Sequence, residues 1–567
     1  MERTGHYAVV EQLVADGVTH IFGNPGTVEQ GFLDALENFP SIKYILTLQE
    51  TVAIFAADAY ARATLRPTIA QIHSSPGLGN AIGAMYQAMR GHSPLVILGG
   101  DSGIRYAAMN AQMAADLVGM ARPVTKWATV VQHPSSLLRI LRRAMKVAVT
   151  PPMGPVYVCL PQDILDAIAT EPVVPSSYPQ STVTPDAATI DSVAKTLLAA
   201  KKPMFFVGDG VAFSGAQPEV ARVAEILGAE VWGVDSGELN LPYDHPAWQG
   251  QTGHMFGAQS LPITTKGDVN LVVGTYMVPE VFPELGDIFA AGSQTIHIDL
   301  DADAIAKNHP VSLGLVADPK RTLAALADRL GALQSAEGKK TAAARIAEFA
   351  QHKADARAAE IARDKAKAGA VPMGFAEFAS ALAARMPANA VIFDEALTNS
   401  PALTRYIPPR EPGSFFQIRG GSLGAGLAGG LGLKAAYPDR PVWVFNGDGG
   451  SMYVIQALWS AVRHNMDIKF VICNNRSYRL LQLNIQQFWK EQNISGRPFP
   501  TSFDLSYPEL HFDQIAQAMG VSSLRVERPD QINAAIDTAL AHNGPFLLDV
   551  VLEGDVHPDL IGVRCGH

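Results

Sequence analysis

Short apolar runs alternate with longer segments whose apolar positions recur at helical spacing along almost the whole chain. Apolar runs bounded by turn residues mark strands buried on both faces, and their alternation with amphipathic helices predicts parallel sheets sandwiched between helices. In the first third, strands are predicted at Thr19–Gly23, Tyr44–Leu48, Thr68–Ile72, Leu95–Leu98 and Val156–Leu160, with helical segments between them that include Glu50–Arg62. A stretch rich in Pro, Ser and Thr at 171–186 reads as a linker. Strands resume at Pro203–Val207, Glu230–Gly233, Leu271–Gly274 and Thr295–Asp299, then give way to Ala-, Lys- and Arg-rich sequence at 332–369, predicted as a long solvated helix. From Val371 a third unit offers strands at Val391–Phe393, Val442–Asn446, Lys469–Cys473 and Phe546–Val550. The predicted fold class is therefore α/β, with three doubly wound domains built on parallel sheets at 1–170, 187–335 and 371–555 and a polar tail at 556–567. Their similar lengths suggest duplication of one architecture.

Composition narrows the function classes. At 567 residues the chain exceeds the roughly 250–300 that one hydrophobic core can organise. A hydrophobic fraction of 48% and a charged fraction of 17% exclude a disordered chain. Lys plus Arg total 44 against 54 Asp plus Glu, a net charge of −10 without a basic footprint, so nucleic acid is not an expected partner. Cys159, Cys473 and Cys565 lie far apart with no CxxC, which excludes a disulfide scaffold or structural zinc site and suggests a reducing, cytoplasmic setting. The opening segment reads as an amphipathic helix without the apolar centre of a leader. No apolar run reaches the roughly 18 residues of a membrane span, so no membrane partner is expected.

Candidate chemistry concentrates in Pro441–Tyr478. A buried strand ends at Gly447-Asp448-Gly449-Gly450, a helix is expected next with Ile455, Leu458, Trp459 and Val462 facing the core, and the following strand ends at Asn474-Asn475. In a βαβ unit both strands are parallel, so Asp448 and Asn475 emerge at the carboxyl edge where open α/β sheets bind ligands. A carboxylate and an amide oxygen there suit a hard divalent cation, and the glycines let backbone approach a phosphate at a helix N-terminus. The alternative is an ordinary βαβ turn. Gly424, Gly426 and Gly429 also satisfy GxGxxG, but the next strand leads to GDGG rather than to the acidic residue a dinucleotide site requires, so they read as close packing.

The GDG…NN spacing resembles the thiamine diphosphate and magnesium motif. So do Phe22–Thr27 (FGNPGT), Tyr44–Glu50 (YILTLQE), His73–Ala84 (HSSPGLGNAIGA) and His92–Leu95 (HSPL). Together they resemble the superfamily of thiamine-diphosphate-dependent 2-keto-acid decarboxylases and carboligases, and within it the benzoylformate decarboxylases most. The resemblance implies pyrimidine-binding, central and diphosphate-binding domains, with thiamine diphosphate and Mg²⁺ as cofactors. It implies that Glu50 hydrogen-bonds N1′ of the aminopyrimidine and drives loss of the thiazolium C2 proton; from the residues alone, Glu50 could merely complement a helix dipole. His73 is implied to face the thiazolium and relay protons or bind a substrate carboxylate, and Thr27 to replace a serine that touches that carboxylate. Leu423 would prop the cofactor, with Gly421 beside it. Thr398 and Asn399 would reach the diphosphate, together with Gly447, Gly449, Gly450, Ser451 and Tyr478. Asp448, Asn475 and the Ser477 carbonyl would hold the metal.

Two departures stand out. Arg476 and Arg479 occupy a loop that in the family passes through glycine, where they would be solvated or meet an anionic substrate. The second active-site histidine of benzoylformate decarboxylases is missing from 274–282, leaving Glu280 or Tyr276 to substitute if they point inward. The resemblance implies non-oxidative decarboxylation of a 2-keto acid to an aldehyde, with possible carboligation. Alternatives are a 2-hydroxyacyl-CoA lyase or oxalyl-CoA-decarboxylase-like enzyme, an acetolactate-synthase-like transferase, and a nicotinamide or flavin oxidoreductase. Small keto acids, aldehydes or acyl-CoAs are the expected substrates. A homodimer core doubled to a homotetramer is the expected assembly. The central domain binds FAD or the ADP part of coenzyme A in some relatives and nothing in others, and the polar tail could order as a lid.

Overall fold

Every pairing between strands is parallel in the computed structural model of the chain, which describes residues 3–556. The first sheet contains β1 (His20–Gly23), β2 (Lys43–Leu46), β3 (Thr68–Ile72), β4 (Leu95–Asp101), β5 (Trp127–Val130) and β6 (Val156–Pro161). The second contains β7 (Pro203–Val207), β8 (Glu230–Val234), β9 (Trp248–Thr252), β10 (Val269–Val273), β11 (Gln294–Asp299) and β12 (Leu313–Val316). The third contains β13 (Val391–Glu395), β14 (Phe415–Gln417), β15 (Val442–Gly447), β16 (Ile468–Asn474), β17 (Ser522–Val526) and β18 (Phe546–Val551).

Strand order corrects the expectation of a single repeated architecture. The outer sheets share one order, β2-β1-β3-β4-β6-β5 and β14-β13-β15-β16-β18-β17, whereas the central one runs β12-β11-β10-β7-β8-β9. Counted within its own unit, the central order is that of a dinucleotide fold, whereas the outer sheets switch direction between their first and third strands, as flavodoxin-like sheets do. The helix expected after GDGG is also divided, into Asp448–Ser451 and Ala457–Arg463. The Ala-, Lys- and Arg-rich segment forms one helix, Ala336–Ala366, in which Ala342 alone is buried. No helix among the described residues is long and apolar enough to cross a membrane. The tail from 557 onward lies outside the described residues.

The outer units share a core. Helix Glu50–Thr64 packs on helix Ala425–Ala436 so closely that a Cβ on Gly432 would lie 1.9 Å from the Ala56 carbonyl oxygen. Phe22, Phe55, Phe393, Leu427 and Ile472 belong to one apolar cluster spanning both units. Arg62, fully buried at the C-terminal end of the first of these helices, ties in the central unit. Its guanidinium donates to Glu238 Oε1 (2.7 Å), to the Gly237 carbonyl (2.8 Å) and to the Gln417 carbonyl (3.0 Å). Both outer sheets are thereby fixed relative to each other, with their carboxyl edges free to build a site.

Candidate active site

Thr27, Glu50 and His73 follow β1, β2 and β3, at the direction switch of the first sheet. His73 immediately precedes helix Ser74–Arg90 without capping it, and its Nδ1 lies 2.9 Å from Glu29 Oε2. Gly26 makes this possible, because a Cβ there would sit 2.0 Å from the imidazole Cγ. Glu29 is buried; burial raises its carboxyl above the usual range, while the His73 ring opposes that shift. Thr27 is exposed in the adjoining turn.

Glu50 opens helix Glu50–Thr64 but does not cap it. The cap is Gln49, whose side-chain oxygen accepts from the N–H groups of Thr51 (2.6 Å) and Val52 (3.3 Å). Glu50 is 8% exposed, and its carboxylate is turned toward the neighbouring helix, where Asn80 Nδ2 donates to Oε2 at 3.0 Å. Gly77 supplies the space, since its Cβ would meet Glu50 Oε1 at 2.8 Å. A glutamate serving only the helix dipole would not need a partner and a glycine cradle on another helix.

The second group of predicted residues lies at the corresponding switch of the third sheet. Thr398 and Asn399 follow β13, Asp448 follows β15, and Asn475 and Ser477 follow β16. Asp448 Oδ1 accepts from the Gly449 N–H at 2.7 Å, while Oδ2 is buried without a hydrogen-bond partner. Burial pushes this carboxyl up to about 6, although backbone N–H groups of Gly449, Arg476 and Ser477 favour its ionised form. Asn475 Oδ1 accepts from the Ser477 N–H at 3.1 Å. Ser451 spends its hydroxyl within the loop, donating to the Gly447 carbonyl at 2.8 Å. Tyr478 lies over Gly449, where a Cβ would approach the ring to 2.4 Å.

A buried carboxylate oxygen with no donor, beside an amide oxygen, fits a hard divalent cation. No group of three or more His, Cys, Asp or Glu poised for a metal exists among the described residues. An ion here would have a single carboxylate and would complete its shell with neutral and phosphate oxygens, as Mg²⁺ does at phosphate sites.

The Gly424–Gly429 run is close packing. Gly424 holds φ +95°, and Cβ atoms on Gly426 and Gly429 would approach Asn446 Oδ1 to 2.6 Å and the Phe393 ring to 2.7 Å. Glu395, buried beneath this run, accepts from the N–H groups of Gly424 and Gly426, each at 2.6 Å.

Three family descriptions match in succession: Thiamine pyrophosphate enzyme, N-terminal TPP binding domain over residues 3–120, central domain over 190–326, and C-terminal TPP binding domain over 397–550. The chain belongs to the thiamine pyrophosphate enzymes. Benzoylformate decarboxylase of Pseudomonas aeruginosa is 29% identical, over 97% of this chain and 98% of that protein. A probable acetolactate synthase large subunit of Methanocaldococcus jannaschii is 28% identical, over 97% and 92%. The solved thiamine diphosphate-dependent 4-hydroxybenzoylformate decarboxylase of Rhodococcus jostii RHA1 superposes with a TM-score of 0.84 at 26% identity, covering 98% of this chain and 100% of that one.

For a thiamine pyrophosphate enzyme, the two departures acquire definite surroundings. Arg479 is not solvated: its side chain is 2% exposed and it donates to Thr398 and Asn399. Arg476 holds φ +56°, a backbone conformation that glycine adopts more readily. In the central unit, the Tyr276 hydroxyl pairs with Arg90, and its ring lines a cavity of ≈ 430 Å³ between the first and central units. Gly210, Thr275 and Asp301 also line that cavity. Glu280 is buried, with Oε2 unpartnered.

Glu29 and Asn80 escaped the sequence reading, although both lie in or beside motifs it singled out. What marks them is their contact with His73 and Glu50, which sequence spacing does not reveal.

Proposed function

We propose that this thiamine pyrophosphate enzyme decarboxylates a 2-keto acid of the benzoylformate kind without oxidation, releasing an aldehyde, with Mg²⁺ securing the diphosphate. The observation that carries this reading is the pair of held side chains at one sheet edge, Glu50 on Asn80 and His73 on Glu29. Bound thiamine diphosphate supplies the electron sink for the bond to the departing carboxylate. Glu50 would hold and move a proton at N1′ of the aminopyrimidine, with Asn80 fixing the carboxylate's orientation. His73, with Nδ1 engaged by Glu29, leaves Nε2 to pass a proton to or from the substrate. The Thr27 hydroxyl would donate to the keto-acid carboxylate. Thr398 and Asn399 would receive the diphosphate, and Asp448, Asn475 and the Ser477 carbonyl the metal.

Among the described residues, no hydrogen bond of Glu50, Thr27 or His73 reaches the Asp448 loop. We propose that the two halves of the site meet across copies of the chain, in a homodimer core that pairs again to a tetramer. Sedimentation should show no catalytically active monomer; an active monomer would contradict this assembly.

A second reading, condensation of two keto acids, is favoured by the near-equal similarity to the probable acetolactate synthase large subunit of Methanocaldococcus jannaschii. Offering aromatic and aliphatic 2-keto acids, alone and in pairs, beside an acyl-CoA panel, separates the readings. Stoichiometric carbon dioxide and aldehyde from single aromatic keto acids support the decarboxylase. A condensation product, or cleavage confined to acyl-CoA, overturns it.

A further inference from the structure

Arg479 is a buried charge beside the Asn475 loop that the reading above leaves without a task. It opens helix Arg479–Glu491, four residues beyond Asn475. Its guanidinium is buried, yet only one nitrogen meets a carboxylate: Nη1 lies 3.1 Å from Glu553 Oε1, and the Glu553 side chain is 27% exposed. The other two nitrogens spend donors on neutral oxygens, Nε on Thr398 Oγ1 at 3.0 Å and Nη2 on Asn399 Oδ1 at 2.8 Å. Asp448 lies within electrostatic reach of the same guanidinium.

A guanidinium removed from water ordinarily takes a bidentate carboxylate or phosphate partner, which matches its planar fork. Arg479 is instead clasped to the two side chains expected to reach the diphosphate. The geometry is that of a cation held ready for an anion that arrives with the cofactor. A diphosphate brings more negative charge than one divalent ion removes, and the buried Asp448 adds to it.

We propose that Arg479 is a built-in cation of the diphosphate subsite, sharing with the divalent metal the neutralisation of the cofactor's phosphates. The inference rests on the assignment of Thr398, Asn399 and Asp448 to that subsite. Two consequences follow. Cofactor binding persists, weakened, when the metal is stripped. Arg479 also favours thiamine diphosphate over thiamine monophosphate.

Titration calorimetry with thiamine diphosphate, thiamine monophosphate and inorganic pyrophosphate, each with Mg²⁺ and with a chelator, tests both. Wild type should bind thiamine diphosphate and pyrophosphate in chelator. Arg479→Gln should weaken both about 10- to 100-fold there, the range for a lost hydrogen bond to a charged group. It should weaken thiamine monophosphate much less, and its deficit should shrink when Mg²⁺ is supplied. Arg479→Lys keeps the charge without the fork, so it should lose less diphosphate affinity than Arg479→Gln. That variant carries the test if the glutamine protein does not fold.

Unchanged diphosphate affinity in Arg479→Gln overturns the proposal. So does an equal loss for monophosphate and diphosphate, or a loss in Arg479→Lys as large as in Arg479→Gln, since a purely structural clasp would behave that way. Failure of the underlying site assignment looks different: Asp448→Ala would then bind thiamine diphosphate normally in Mg²⁺, whatever Arg479 does.

Discussion

Gly77→Ala separates stability from chemistry at this site. Gly77 lies inside helix Ser74–Arg90, where alanine is intrinsically preferred by about 0.8–1.0 kcal/mol. The added Cβ, however, would stand 2.8 Å from Glu50 Oε1, 3.2 Å from Cγ and 3.3 Å from Cδ. Comfortable contacts with carbon begin near about 3.5 Å, so the carboxylate must recede by roughly 0.7 Å and strain its 3.0 Å bond from Asn80. A misplacement of about 1 Å at a reacting group can cost about 10²-fold in rate. We therefore expect turnover to fall about 10- to 100-fold while folding stability stays within about 1 kcal/mol, the helix gain offsetting the crowding. Thermal unfolding and steady-state turnover on the best keto acid, measured on the same preparation, check both halves. Wild-type turnover in a stably folded Gly77→Ala protein would refute the placement of Glu50 in the proton path.

Two further outcomes follow from buried carboxylates. Asp448→Ala removes an oxygen with no donor, so the fold should persist while Mg²⁺-dependent thiamine diphosphate binding falls at least about 10²-fold; unchanged calorimetric affinity would discredit the metal loop. Glu395 is pushed by burial up to about 7 from an ordinary 4.5. Because the folded pKa is the higher, its contribution to stability is full below pH 4.5 and is lost as pH rises through about 7. The stability of wild type relative to Glu395→Gln should therefore be greater at pH 5 than at pH 8 by about 1–3 kcal/mol in denaturant unfolding, and an unchanged or inverted difference would show that this carboxyl does not titrate so.

The chain announced its interior strands and concealed all but one of its edges. Interior strands such as Thr68–Ile72 and Pro203–Val207 are buried at every residue and stand out as apolar runs. The five strands the pattern missed, β5, β9, β12, β14 and β17, all lie at sheet edges. Trp127–Val130 is half-buried throughout, and Leu313–Val316 alternates between half-buried and exposed, so neither shows a continuous apolar signal. The central sheet's different strand order was equally hidden, because order depends on which way each crossover turns and not on hydropathy. At the site, motifs located the loops but not their supports. Asn80 lies thirty positions from Glu50, and Glu29 forty-four from His73, and only folding brings each pair together. Arg479 stays open in the sequence for the complementary reason: solvation and an anionic partner both fit an arginine there until its neighbours are known.

The central claim is that Glu50 moves a proton on the cofactor, and hydrogen–deuterium exchange at C2 of bound thiamine diphosphate tests it without knowledge of the substrate. Glu50→Gln preserves the shape and an oxygen for Asn80, so the fold and cofactor binding should survive. The lost hydrogen bond is of the kind that costs about 3–4 kcal/mol, so exchange should slow by about 10²–10³-fold. Exchange at the wild-type rate in a cofactor-loaded Glu50→Gln protein would contradict the account.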